Sequence, residues 1–245
     1  MNSNGKLALV TGASHGIGAA IARALADSYE ILLGGRDRDA LFKLAEELPS
    51  ASPWPVELTA FEAVADAVIG IDRLDALVHN AGTWEPGLIG ETSSHTWRGL
   101  FDVNLFAVAE LTKLVLPALR TARGHVILIN STAGMRASAG RGAYAASKFA
   151  LRAFGEALHA EEAANGVRVT SIYPGRVATD LQRKVCAYER GVYRPAEYLA
   201  PISVAHAVLA ALRAPVDSEL TEIVIVRTQP SVRRRVRADV QGPPH

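Results

Sequence analysis

Lys6-Leu7-Ala8-Leu9-Val10-Thr11-Gly12-Ala13-Ser14-His15-Gly16-Ile17-Gly18 runs from an apolar stretch through a glycine-rich turn into a segment where Ile17, Ile21 and Leu25 recur at helical spacing as far as Asp27. Strand, turn and helix in that order can cradle the pyrophosphate of a dinucleotide. Glycines let the turn close tightly and the backbone approach the ligand, and the helix start offers free N–H groups and the positive end of its dipole. Three glycines alone would fit an ordinary structural turn. Their place after the first strand and before the first helix is what favours the nucleotide reading. It nominates Gly12, Gly16, Ile17 and Gly18, with Ser14 and His15 assisting.

Outward from this stretch the same alternation continues. Glu30 to Leu33, Pro55 to Leu58, Leu74 to His79, His125 to Asn130, Val167 to Tyr173 and Glu222 to Val226 read as further strands. Asp37 to Leu48, Phe61 to Ile69, Trp97 to Leu119, Ala143 to Asn165 and Val204 to Arg213 read as helices, the fourth capped by Gly166. Strands that are apolar throughout rather than alternating imply a parallel sheet covered on both faces. The predicted fold is α/β, a doubly wound parallel sheet of about seven strands, in one domain over 1–245. The longest irregular stretch, Val177 to Pro201, reads as a lid or binding loop.

The 245 residues are 49% apolar and 21% charged, which excludes a disordered chain. No apolar run is long enough to span a membrane, and Met1 to Gly5 lacks the build of a signal peptide. One cysteine, Cys186, gives no disulfide framework and no cysteine zinc site, so a cytoplasmic location and no bound metal are expected. The net charge of +1 is unevenly placed: Arg227, Arg233, Arg234, Arg235 and Arg237 sit in a C-terminal tail, 227–245, with no Asp or Glu between 227 and 237, and the chain outside 227–237 carries 21 basic against 25 acidic residues. That body is no nucleic-acid-binding surface.

The second strand ends Leu33-Gly34-Gly35-Arg36. An acidic residue at such a strand end would bind the free ribose 2′-hydroxyl of NAD(H). An arginine can instead pair with a 2′-phosphate. The reading is NADP(H) over NAD(H), with Arg36 as the main contact; the competing reading is an exposed arginine blunted by Asp37.

Tyr144 and Lys148 stand four apart in a predicted helix, hence on one face. A phenol with a pKa of about 10 is a poor acid–base catalyst at neutral pH, and a nearby ammonium is expected to lower it at about 1.4 kcal/mol per unit. Ser131, just past a strand end, is placed to hold a substrate oxygen beside the phenol; its plainer role is a helix-capping serine.

With these residues in hand, the chain resembles the short-chain dehydrogenase/reductases over about Lys6 to Val226. The resemblance rests on Thr11-Gly-x-x-x-Gly-x-Gly18, Asn80-Ala81-Gly82, Asn104, Ser131, Tyr144-x-x-x-Lys148 and Pro174-Gly175, in that order. It implies a Rossmann-type fold and hydride transfer between a nicotinamide cofactor and a carbonyl or alcohol. It further implies Tyr144 as acid/base and Lys148 as its partner and a ribose ligand. Ser131 would position the substrate, and Asn104 would hold a water that relays protons to Lys148. Asn80, Ala81, Gly82, Pro174, Gly175, Val177 and Thr179 become cofactor contacts, Thr179 at the carboxamide, with Glu57 and Leu58 against the adenine. His79 replaces a second asparagine and is read as structural. Glu57 stands for the commoner aspartate, and the glycine-rich ending is missing, which favours a homodimer through the long helices over a homotetramer.

Substrate contacts are expected from Thr83 to Glu91, Thr132 to Arg141 and the lid, whose aromatic and apolar residues favour an apolar small molecule. Its basic groups are read as facing water. The alternatives are an NAD-linked alcohol dehydrogenase with the same four residues, and a non-catalytic cofactor sensor on the same fold.

Overall fold

The computed structural model describes residues 5–215 and 217–228; the tail arginines 233, 234, 235 and 237 and the first four residues lie outside them. Seven strands form one sheet: β1 (Leu7–Val10), β2 (Glu30–Gly35), β3 (Ala51–Pro55), β4 (Ala76–His79), β5 (His125–Ile129), β6 (Arg168–Pro174) and β7 (Glu222–Ile225). Their spatial order is β3-β2-β1-β4-β5-β6-β7 and every pairing is parallel. Chain order reverses between β1 and β4, so the crevice for a ligand opens beyond the carboxyl ends of those two strands.

The described residues form eight α-helices, α1 (Gly16–Leu25), α2 (Arg38–Glu47), α3 (Phe61–Ala67), α4 (Ser94–Phe101), α5 (Ala107–Ala122), α6 (Gly142–Glu162), α7 (Asp180–Tyr188) and α8 (Pro201–Leu212), six of which cover the sheet. One face packs α1, α2 and α8 around Val10, Ile31, Leu33 and Val78. The opposite face packs α3, α5 and α6 around Leu9, Leu77, Val126 and Leu128. Successive side chains of each strand enter opposite cores, which is why β1 is apolar throughout and β4 and β5 are apolar but for the buried His79 and His125. Helix α6 lies directly on β5 and β6: a Cβ at Gly155 would stand 2.8 Å from Leu128 Cδ1 and 2.9 Å from Ser171 Oγ.

Three local expectations are corrected. The third strand lies at Ala51–Pro55, not at 55–58, paired with β2 from Ile31↔Ala51 to Gly35↔Pro55. Its two prolines sit on an edge strand, where their missing N–H groups cost the sheet no bond. The helix expected over 97–119 is broken by a π-helical turn at Asp102–Phe106, between α4 and α5. The stretch 177–201 is not irregular: it holds α7, capped by the Thr179 hydroxyl accepting from Gln182 N at 3.3 Å, and a 3-10 turn at Pro195–Glu197. A capping threonine, Asp180 at the start, and apolar Leu181, Val185 and Tyr188 at helical spacing carried that signal. Among the described residues no helix is long and apolar enough to cross a membrane.

Candidate active site

Threonine and asparagine side chains shape the turn after β1. Thr11 Oγ1 donates to Val78 O at 3.3 Å and accepts from Asn80 N at 3.0 Å and Ala81 N at 3.1 Å. The Asn80 amide donates to the carbonyls of Thr11 and Gly12 at 3.0 and 3.1 Å. Gly12 and Gly16 have φ of +64° and +58°, where a side chain would be strained. Gly18 is required for contact rather than conformation, because a Cβ there would lie 2.1 Å from Gly12 O. It therefore holds the turn from behind and does not line the cavity.

That turn opens on a cavity of about 1120 Å³. Gly12, Ser14, His15, Gly16 and Ile17 line one side; Arg36, Glu57 and Leu58 line the end of β2 and the segment after β3. Asn80, Ala81 and Gly82 follow, then Ser131, Tyr144 and Lys148, and finally Pro174, Gly175, Val177 and Thr179. The residues fit a dinucleotide. Helix α1 begins with no side-chain cap and no acidic residue in its first turn, so its free N–H groups face the cavity beside the glycines.

Arg36 is 80% exposed and its Nη1 lies 3.4 Å from Glu57 Oε2. Asp37, expected to blunt it, is engaged elsewhere: its carboxylate caps α2 by accepting from Ala40 N at 3.1 Å. Burial pushes the Glu57 carboxyl up, but hydrogen bonds from Thr59 and the charge of Arg36 outweigh it and hold Glu57 below its ordinary value.

At the other end, Asn130 fastens β5 to α6. Its backbone N–H donates to Ile172 O at 2.8 Å, its Nδ2 to Lys148 O at 3.1 Å, and its Oδ1 accepts from Ser131 N at 2.9 Å. The sequence reading missed this residue, although its place between the strand and Ser131 marked it. Ser131 Oγ accepts from Ala133 N at 3.1 Å, so the serine does cap a 3-10 turn. Ser131 is also close enough to Tyr144, one turn before Lys148 on α6, to pull its phenol down.

The acidity of the phenol departs from expectation. Burial raises Tyr144 above its ordinary value; the bond with Ser131 and the charge of Arg141 oppose this without winning. Lys148 is not among the groups that shift it. The lysine is itself buried, its Nζ donates to Ile129 O at 3.2 Å, and loss of solvation brings it down to about 8. The tyrosine is thus held in its protonated form.

Asn104 stands behind the cavity, in the π-helical turn. Its Oδ1 accepts from Thr83 N at 2.9 Å, and its Nδ2 donates to Thr83 O and Ser147 Oγ, both at 3.0 Å. Ser147 in turn donates to Tyr144 O at 2.8 Å. His79 is buried against Thr112 Oγ1 at 2.8 Å and held neutral by burial, its pKa lowered to about 3. Cys186 is buried in the lid, its Sγ 3.0 Å from Tyr198 Oη.

Beyond Tyr144 the cavity is walled by Trp84, Leu100, Val103, Leu181 and Val185, with Arg136, Arg141 and Lys184 at its rim. Trp84 meets the lid's Tyr188 edge to face, ring centroids 6.0 Å apart.

The fold that carries this crevice is shared with known proteins. Residues 6–190 match the short chain dehydrogenase family. The chain is 37% identical over 190 residues to the L-fucose dehydrogenase of Mus musculus, covering 75% of this chain and 70% of that one. It is 36% identical over 236 residues to glycine betaine reductase ATRR of Emericella nidulans, covering 91% of this chain and only 19% of that protein's length. Among solved structures, the alcohol dehydrogenase of the archaeon Thermococcus sibiricus, complexed with 5-hydroxy-NADP, superposes with a TM-score of 0.82 at 30% identity, covering 94% of this chain and 98% of that one. A short chain dehydrogenase of Burkholderia cenocepacia J2315 in complex with NADP superposes at 0.79 with 28% identity, covering 93% and 90%. The chain belongs to the short-chain dehydrogenase/reductase family and is an oxidoreductase of Rossmann-type fold.

Proposed function

We propose that this enzyme reduces the carbonyl group of a neutral, largely apolar small molecule with NADPH, using Ser131, Tyr144 and Lys148 at the reacting oxygen. The observation that carries the reading is one continuous cavity, lined by the glycine turn at one end and by these three side chains at the other. NADPH, when bound, supplies the hydride.

The chain's own residues do the rest. Ser131 and Tyr144 hold the carbonyl oxygen, orienting the carbon toward the crevice where the nicotinamide would lie. Burial keeps the proton on the phenol, so Tyr144 is ready to donate it as negative charge develops on that oxygen. Lys148, brought down to about 8, still carries its proton at neutral pH and can turn that charge from Ile129 O to an anion or a ribose hydroxyl. Asn104 secures Thr83 and, through Ser147, the backbone of Tyr144; it fixes the far wall and carries the proton-relay role of its family through a water.

Arg36, largely exposed at the cavity edge, supports a 2′-phosphate, as do the NADP complexes of the solved neighbours. Arg141 is already paired with Glu189, and the wall is Trp84, Leu100, Val103, Leu181 and Val185, which supports a substrate without its own charge. One observation favours a second reading, an NAD-linked alcohol dehydrogenase: Glu57 already partners Arg36.

Titrating NADPH and NADH without substrate separates the two, tight NADH binding with no gain from the 2′-phosphate favouring the second. A carbonyl panel followed by nicotinamide absorbance, with Tyr144→Phe alongside, tests the chemistry. Undiminished turnover in that variant would overturn the assignment of the acid.

A further inference from the structure

Helix α7 ends with Glu189, and that residue is tied to two other elements. One carboxylate oxygen, Oε1, is paired with Arg141 Nη2, and the other, Oε2, accepts from Arg176 Nη2 at 2.6 Å. Arg141 caps α6, three residues before Tyr144. Arg176 stands two residues past the end of β6. Both arginines line the cavity. One side chain therefore joins the lid, the helix of the reacting phenol and the loop after β6.

The end of α7 is built to hold that side chain in place. Arg190 adopts φ +53°, Arg190 N donates to Ala187 O at 3.1 Å and Gly191 N to Cys186 O at 2.8 Å. This is the paired closure of a Schellman motif, with an arginine accepting the left-handed conformation that glycine usually takes. Tyr188, one residue before Glu189, lies against Trp84 and close over Gly140, where φ is +74° and a Cβ would stand 3.2 Å from the Tyr188 hydroxyl. The returning leg is fastened separately, by Tyr198 to Cys186 and by Leu199 to Arg176 O at 2.9 Å.

We propose that Glu189 is a positioning residue for the carbonyl reduction proposed above, its carboxylate clamping the lid helix onto the residues that open the Tyr144 helix and follow β6. The inference rests on that reading of the reaction, though the clamp itself is geometric. Each oxygen already serves a different guanidinium, and charge-assisted pairs of this kind fix geometry better than neutral ones. Glutamine would keep one acceptor oxygen of the two, and aspartate would fall one methylene short of both partners. Losing the carboxylate also frees two cations at the wall beside Tyr144.

The test uses the full chain and a carbonyl compound that the wild type turns over with NADPH. Glu189→Ala and Arg141→Ala are each expected to lower kcat and raise KM for the carbonyl together, kcat/KM falling about tenfold to hundredfold. The double variant should be no worse than Glu189→Ala, because Arg141→Ala removes one arm of the clamp that Glu189→Ala removes whole. NADPH affinity measured without carbonyl should change less than about threefold, since the glycine turn and Arg36 are untouched. Glu189→Gln, which keeps the volume, should fall between wild type and alanine and guards against a misfolded alanine variant.

Wild-type kcat/KM in Glu189→Ala, beside an inactive Tyr144→Phe, would overturn the clamp and leave the proposed reaction standing. Additive losses in the double variant would also overturn it. If no carbonyl is turned over by the wild type, the reaction fails instead, and amide hydrogen exchange judges the clamp without substrate. Residues 180–188 should exchange at least about tenfold faster in Glu189→Ala than in the wild type. Unchanged exchange would remove the clamp whatever the reaction.

Discussion

Asn80 and Thr11 hold each other, each offering its side chain to the other's backbone: Asn80 Nδ2 donates to Thr11 O at 3.0 Å while Asn80 N donates to Thr11 Oγ1 at 3.0 Å. This pair bridges the carboxyl ends of β1 and β4, the two strands between which the crevice opens. It sets the shape of the glycine turn before any nucleotide arrives. Asn80→Ala leaves the carbonyls of Thr11 and Gly12 without their side-chain donor. The expected loss is about 1–3 kcal/mol of folding free energy together with weaker nucleotide binding. Denaturant unfolding and a fluorescence titration measure both.

Replacing Tyr144 by phenylalanine removes the proton donor and little else. Turnover should fall by about a hundredfold to ten-thousandfold. Nucleotide affinity should stay close to wild type, because the glycine turn and Arg36 are unaltered. Single-turnover kinetics with saturating NADPH separate the two effects.

Cofactor choice turns on the Arg36–Glu57 pair. Arg36→Ala should cost NADPH about tenfold to hundredfold in affinity, the worth of charge-assisted hydrogen bonds to a phosphate, and leave NADH nearly unchanged. Glu57→Gln should act in the opposite direction, freeing Arg36 and removing a negative charge from beside the phosphate. Parallel titrations of both nucleotides on both variants decide this.

The buried histidines make stability depend on acid. His79 and His125 have pKa values lowered to about 3, chiefly by burial, against an ordinary 6.5. Between those values the unfolded chain binds more protons than the folded one, so stability is complete above about 6.5 and is lost as the pH falls toward 3. The slope is about 1.4 kcal/mol per pH unit for each histidine. Lys148 behaves in the complementary range: with its pKa lowered to about 8, it costs stability below that value, and the cost is relieved as the pH rises toward 10.5. Urea unfolding between pH 4 and 8 should show the first trend, reduced in His79→Gln.

Arg190 supplies a test that leaves the chemistry alone. With φ +53° it occupies a conformation costing a side-chain-bearing residue about 1–2 kcal/mol. Arg190→Gly relieves that cost at the expense of unfolded-state entropy. The net expectation is a gain of about 0.5–1 kcal/mol, read as a raised Tm.

The fold was legible where chemistry is local in sequence. Thr11 to Gly18 announces its own turn, and Tyr144 and Lys148 share a helical face because they are four apart. What was hidden depends on neighbours distant in the chain. Solvation of the Tyr144 phenol is set by the walls around it, so the direction of its shift could not be read from a lysine four residues on. Pairing with β2 displaced the third strand to Ala51–Pro55, and the partner that Arg36 takes, Glu57, stands 21 positions away. Glu189 drew no notice because its partners lie 48 and 13 residues before it.

The rim of the sheet at β3 has a consequence for contact between copies. Ser50 O and Val56 N bond to β2, so the even-numbered residues of this strand face inward and Pro53 and Pro55 turn their ring nitrogens outward. A foreign strand arriving at that border meets two successive positions with no hydrogen to give, which blunts it against sheet-to-sheet polymerisation.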